Sequence, residues 1–223
     1  MKGLDVVRVF IGDDGGGGNL LGVFLQGNLV DPDRRQAVAA ELGYAETVFV
    51  DDAERGELRI FTPTVELPFA GHPLVGTAWL LARRGNPAES LRPPAGEVSV
   101  RSDDELTFVA ARPEWAPATE WLRLDSPADV DALSAAPEGT PALYAWAWID
   151  EDAGVVRSRS FAPGYGIPED EATGSLGLAL AAQLGRDIEI HQGTGSELFA
   201  RPLEDGWAEV GGRVALAQRQ GGG

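Results

Sequence analysis

The 223-residue chain carries 18 Lys and Arg against 35 Asp and Glu, a formal net charge of −17 with histidine neutral, which sets its average surface potential against nucleic acid and anionic lipid. Apolar residues make up 43% and charged residues 24%, the balance of a chain that folds around a buried core. There is no cysteine, so disulfides, thiolate nucleophiles, iron–sulfur clusters and Cys-ligated zinc are excluded; with His72 and His191 as the two histidines, a histidine metal site would need carboxylates to complete it.

The opening MKGLDVVRVF lacks a basic start before an apolar run, and PLVGTAWLLA and LGLALAA fall short of the roughly 20 residues that a membrane span needs. A cytoplasmic protein with no membrane partner is expected. Leu4 to Ile11 reads as a strand ending in the glycine-rich loop GDDGGGGN, and Leu20 to Leu25 as the returning strand of a hairpin. Asp31 caps a helix with Pro32 in its first turn and Gly43 as its stop. Thr47 to Val50 and Glu57 to Phe61 read as two strands joined by DDAERG, with Glu46 at the mouth of the first. The period then changes: Leu74, Ala78, Leu81 and Ala82 share the face of a helix that begins near His72 or Pro73 and stops at Gly85.

Asn86 to Gly96 reads as a linker. Beyond it, Glu97 to Val100 and Leu106 to Ala111 read as strands, Trp115 to Glu120 as irregular, Asp125 to Leu133 as a short capped helix and Ala142 to Ile149 as an apolar strand. Val155 to Phe161 alternates as a strand, APGYGIPEDEATG is a turn-rich loop, and Ser175 to Leu184 is helical. Strands at Ile188 to His191, Leu198 to Arg201, Trp207 to Val210 and Val214 to Ala217 close the chain, and the terminal QRQGGG is expected to be disordered.

One plan is used twice. Phe61, Pro63 and Pro68 are repeated about a hundred residues later by Phe161, Pro163 and Pro168, and after a three-residue slip Gly174 and Ser175 answer Gly71 and His72. Two domains are therefore expected, residues 1–95 and 96–223, with a terminal strand able to cross from one half to the other. In each half a strand leads through a proline-bearing loop to a Gly-plus-polar pair that opens a helix. A helix N-terminus presents unpaired N–H groups and partial positive charge, which suits both pairs either to hold an anion such as a carboxylate or simply to cap two similar helices.

His72 reads as a general acid or base, as a donor that holds a substrate group, or as a structural residue. Glu169, Asp170 and Glu171 precede the second helix, where carboxylates also complement the helix dipole. Glu46 is either functional or one more solvated charge at a strand end. GGGG at 15 to 18 has neither dinucleotide-fingerprint spacing nor a phosphate-loop lysine, and GSLG at 174 to 177 lacks the glycine two residues before its serine that a nucleophile elbow requires.

AETVFV, FTPTVELPFAGHPLVGTAWLL, GIPEDEATGSLG and the pair Gly18 and Asn19 together resemble the PhzF family of phenazine-biosynthesis-like proteins. The resemblance implies the diaminopimelate epimerase-like α/β (α+β) fold: two pseudo-symmetric domains, each a curved, mostly antiparallel sheet around a central helix, with the active site between them. It implies an isomerase that shifts a proton within a small carboxylate-bearing molecule without metal or cofactor, and a homodimer. By the resemblance, Glu46 is the general acid and base, His72 and Asp170 complete the catalytic set, and Asn19, Gly71, Thr173, Gly174 and Ser175 bind substrate. A dihydro-hydroxyanthranilate-like substrate is implied, and the alternative is a non-catalytic small-molecule binding protein on the same fold. The chain departs from the family pattern at Leu20, Ala45, Leu74 and Leu176.

Overall fold

The computed structural model describes residues 3–217; the terminal QRQGGG lies outside the described residues. β1 (Leu4–Ile11) and β2 (Gly17–Phe24) form the expected antiparallel hairpin, with Val7 opposite Leu21. α1 (Pro32–Leu42) follows, its N-cap Asp31 accepting the Asp33 N–H and its C-cap Gly43 in the left-handed region. β3 (Glu46–Asp52) lies parallel to β2, and β4 (Glu57–Phe61) returns antiparallel to β3 and pairs with the short β5 (Glu66–Leu67). α2 (Gly71–Arg83) closes the first half.

The segment read as a linker contains a strand, β6 (Ser90–Leu91), that pairs with β7 (Val98–Asp103), which in turn pairs with β8 (Leu106–Ala111). β9 (Glu120–Arg123) starts at the last residue of the stretch read as irregular and runs on through residues given no element, parallel to β10 (Leu143–Asp150); α3 (Pro127–Asp131) lies between them in the chain, capped by the Ser126 hydroxyl. β10 and β11 (Val155–Ala162) form an antiparallel pair. The loop after it is more ordered than its turn residues imply, because Ile167–Asp170 pairs back on β11 as β12. Then come α4 (Gly174–Leu184), β13 (Ile188–Gln192), β14 (Ser196–Pro202) and β15 (Ala208–Leu216). The last of these merges two expected strands into one, since Gly211 and Gly212 continue the pairing with β8.

The repetition is a repetition of geometry. An antiparallel pair, a short third strand and a buried helix occur as β3–β4–β5–α2 and again as β10–β11–β12–α4. Both helices are apolar on nearly every side, which is why each sits inside its sheet rather than on it. All the strands belong to one continuous sheet, in which β15 connects the halves by pairing with β1 along one stretch and with β8 and β14 along another. One apolar core runs through both halves, from Val9, Leu21 and Leu74 to Leu176, Leu180 and Leu198. A smaller cluster of Phe24, Val38, Phe49 and Phe61 seats α1 on the outer face.

Candidate active site

Strand periodicity places the first key side chain. Glu46, Val48 and Val50 lie on one face of β3, and the two valines belong to the core around α2, so Glu46 points toward the first turn of that helix. There its Oε2 lies 3.2 Å from Nε2 of His72, the second residue of α2, and both side chains are less than a tenth exposed. Neither atom has a hydrogen-bond partner among the described residues. Burial, followed by the nearby negative charge of Asp170, pushes the Glu46 carboxyl well above its ordinary range. Burial pulls His72 down to about 4, with Asp170 opposing in part. Burial thus disfavours charge on both partners, so their close approach is not that of an ordinary salt bridge.

Asp170 ends β12 at the same place. Its Oδ1 accepts from Asn19 Nδ2 at 2.5 Å and its Oδ2 from the Thr173 hydroxyl at 2.6 Å, while Asn19 also donates to the Ala172 carbonyl. Asn19 is on β2 and Asp170 on β12, so this contact ties the two halves together at the site.

The helix mouths meet as the repeat requires. A Cβ on Gly71 would lie 2.7 Å from the Gly174 carbonyl carbon and the Ser175 nitrogen, and one on Gly174 would lie 3.1 Å from the His72 nitrogen and 3.0 Å from the Phe10 ring. At Gly71 only glycine allows this approach, and at Gly174 a side chain would be tight. α1 and α3 carry side-chain caps on Asp31 and Ser126, whereas neither Ala70 nor Thr173 caps α2 or α4 with its side chain. Two helix N-termini without side-chain caps thus converge where the sequence proposed an anion site.

In front of these groups is a cavity of about 320 Å³, lined by Glu46, Asp170, Thr173 and Ser175 on one side and by Phe69, Trp115, Tyr165 and Leu176 among the apolar walls. Among the described residues, no Lys or Arg lines it. All eight predicted site residues are brought together: four line the cavity, while Asn19, Gly71, His72 and Gly174 stand behind them in direct contact. Sequence reasoning missed the aromatic wall and a buried polar group, Gln192, whose signal was available as a polar residue in phase with Ile188 and Ile190 on the inward face of β13.

The fold and the site define a class, two mutually facing α/β halves with buried titratable residues at their joint. The phenazine biosynthesis-like protein family model matches residues 7–147, and the chain belongs to that family. It is 30% identical to the trans-2,3-dihydro-3-hydroxyanthranilate isomerase of Pseudomonas fluorescens, over 84% of this chain and 79% of that protein, and 31% identical to the Pseudomonas aeruginosa protein of the same name, over 82% and 80%. In three dimensions it resembles a PhzF-family protein of Enterococcus faecalis, with a TM-score of 0.78 at 22% identity over 96% of each chain. A hydroxyproline epimerase of Agrobacterium vitis shares the fold at a TM-score of 0.61 and 13% identity, over 96% of this chain and 90% of that one. The chain is an isomerase of this family.

Proposed function

We propose that the protein moves a proton between two carbons of a small carboxylate-bearing substrate, with Glu46 as the single acid and base. What carries this reading is Glu46 itself, a buried carboxyl at the cavity wall whose Oε2 has no hydrogen-bond partner among the described residues. Leaving such an atom unpaired is costly, and the cost is offset where a substrate supplies the partner. The raised proton affinity matches the task, since a carboxylate of ordinary basicity removes a proton from carbon poorly. In the reaction the ionised form of Glu46 takes the proton as a C–H bond breaks, the electron pair shifts through the adjacent π-system, and the Glu46 carboxyl so formed returns that proton as a C–H bond forms at the remote carbon. No oxidation or reduction accompanies the step, so the residues need no redox partner.

With no Lys or Arg in the lining among the described residues, the substrate carboxylate is assigned to the N–H groups of α2 and α4, where Gly71 and Gly174 keep the backbone accessible. Asp170 and His72 orient the polar substituents, and Phe69, Trp115 and Tyr165 receive the ring or chain. A dihydro-hydroxyanthranilate-like molecule fits this description, supported by the named activity of the Pseudomonas relatives.

The test is Glu46→Gln. Isomerisation, or exchange of the substrate's carbon-bound proton for solvent deuterium, falls by at least about a thousandfold, within the usual span of general acid–base contributions, while ligand binding and the circular dichroism spectrum persist. Unchanged exchange in that variant rejects the reading, and wild-type protein that binds small acids without exchanging any proton supports a binding protein instead. The homodimer implied by the family is tested separately by light scattering, which should return twice the 23.6 kDa chain mass.

A further inference from the structure

The polar residue in the core behind the cleft has a defined task. Gln192 has no solvent exposure, and its Nε2 makes two hydrogen bonds, to the Asp170 backbone carbonyl at 2.8 Å and to Thr173 Oγ1 at 2.9 Å. A carbonyl can only accept, so the first bond sets which way the amide faces. Nε2 must then be a donor toward Thr173 as well, and the Thr173 hydroxyl proton is forced onto its other neighbour, Asp170 Oδ2, 2.6 Å away. On the far side Gln192 Oε1 lies 3.4 Å from the hydroxyl of Tyr144, itself buried and bonded to Ser158 at 3.1 Å. Asn19 is set by the same logic through the Ala172 carbonyl, and donates to Asp170 Oδ1.

We propose that Gln192 is a positioning residue: its carboxamide fixes the polarity of the Thr173 hydroxyl so that Asp170 meets the cleft with both oxygens as acceptors, leaving the site's mobile proton on Glu46. The inference rests on the acid–base reading of Glu46 but concerns a residue that touches neither the substrate cavity nor Glu46. The titratable and charged groups around this network are Glu46 from β3, His72 from α2, Tyr144 from β10 and Arg157 from β11. Arg157 is engaged by Asp131 and by the carbonyls of Ser158, His191 and Gly193, and its charge acts on Tyr144.

The experiment has two arms. Neutron diffraction on the unaltered protein should place the deuterium of Thr173 Oγ1 toward Asp170; a deuterium directed at Gln192 overturns the proposal. Carbon-13 NMR titration of the Glu46 and Asp170 carboxyls, assigned with Glu46→Gln and Asp170→Asn, is then repeated in Gln192→Met and in the isosteric Gln192→Glu. With the donor removed, the Thr173 hydroxyl is no longer held toward Asp170 and its hydrogen bond to the charged carboxylate weakens, so relative to wild type Asp170 should take up its proton at higher pH and Glu46 at lower pH, each by about one unit. Substrate exchange should fall by about tenfold in kcat with KM little changed, the equivalent of that one unit. Titration curves identical to wild type in either folded variant overturn the proposal. A Glu46→Gln protein that still exchanges substrate protons would defeat the catalytic reading and leave these titrations standing.

Discussion

At the scale of single residues, one burial acts on two neighbouring groups in opposite directions, raising the proton affinity of the Glu46 carboxyl and lowering that of the His72 imidazole, which reverses their order in water. His72 is lowered to about 4 and Glu46 is raised above the ordinary carboxylate range, so burial disfavours charge on both. The consequences for stability have opposite signs. Between about 6.5 and about 4 the unfolded chain protonates its histidine and the folded protein does not, so His72 costs stability as pH falls through that window. Above 4.5 the unfolded chain releases the Glu46 proton and the folded protein keeps it, so Glu46 costs stability as pH rises. Glu46→Gln deletes only the second effect. The variant should therefore gain on wild type by about 1.4 kcal/mol per pH unit above 4.5, until the folded carboxyl itself ionises. Denaturant melts of both proteins from pH 4.5 to 7.5 check this, and a constant difference would mean that Glu46 is charged in the fold.

At the scale of elements, what distinguishes the two central helices from the two peripheral ones is the absence of a side-chain cap together with a glycine first residue. Gly71→Ala places a methyl 2.7 Å from the backbone of Gly174 and Ser175, where no side-chain rotation relieves it. We expect a loss of about 1–3 kcal/mol, the usual range for overpacking, and a rise in KM for any carboxylate ligand because the helix mouths are pushed apart. Gly43→Ala is the control: its φ of 66° makes alanine costly, but the space around it is open and it lies outside the site, so stability falls and KM does not. Urea melts and steady-state kinetics on the pair separate the two effects. These helices were legible in sequence because Leu74, Ala78 and Leu81 recur at helical spacing with glycine stops. β5, β6 and β12 were not, since strands of two to four residues carry too little periodicity and exist only through the partner strands β4, β7 and β11.

At the scale of the whole molecule, the halves share a sheet and a core. β15, the last strand of the chain, completes the pairing of β1, the first, with Val7 opposite Leu216 and Val9 opposite Val214. The Gly18 N–H donates to Ser196, and Asn19 to Asp170, so the first hairpin is held by residues more than 150 positions away. A fragment of residues 1–95 should therefore remain unfolded by circular dichroism and proton NMR, while a mixture with residues 96–223 should regain the native spectrum. A cooperatively folded isolated fragment would show that the first half needs neither β15 nor the shared core.

The duplicated plan, the two central helices and the candidacy of Glu46, His72 and Asp170 were determined by the amino-acid sequence, because helical period, cap chemistry and family motifs are local and survive in one dimension. How burial biases protonation was decided only in three dimensions. The opposite shifts of Glu46 and His72 arise from burial, the hydrogen bonds of Thr173 from a glutamine 19 residues away on β13, and the meeting of the helix mouths from Gly71 against Gly174 across about a hundred residues. Desolvation and close contact depend on what surrounds a residue, and those surroundings are assembled only when the two halves close on one core.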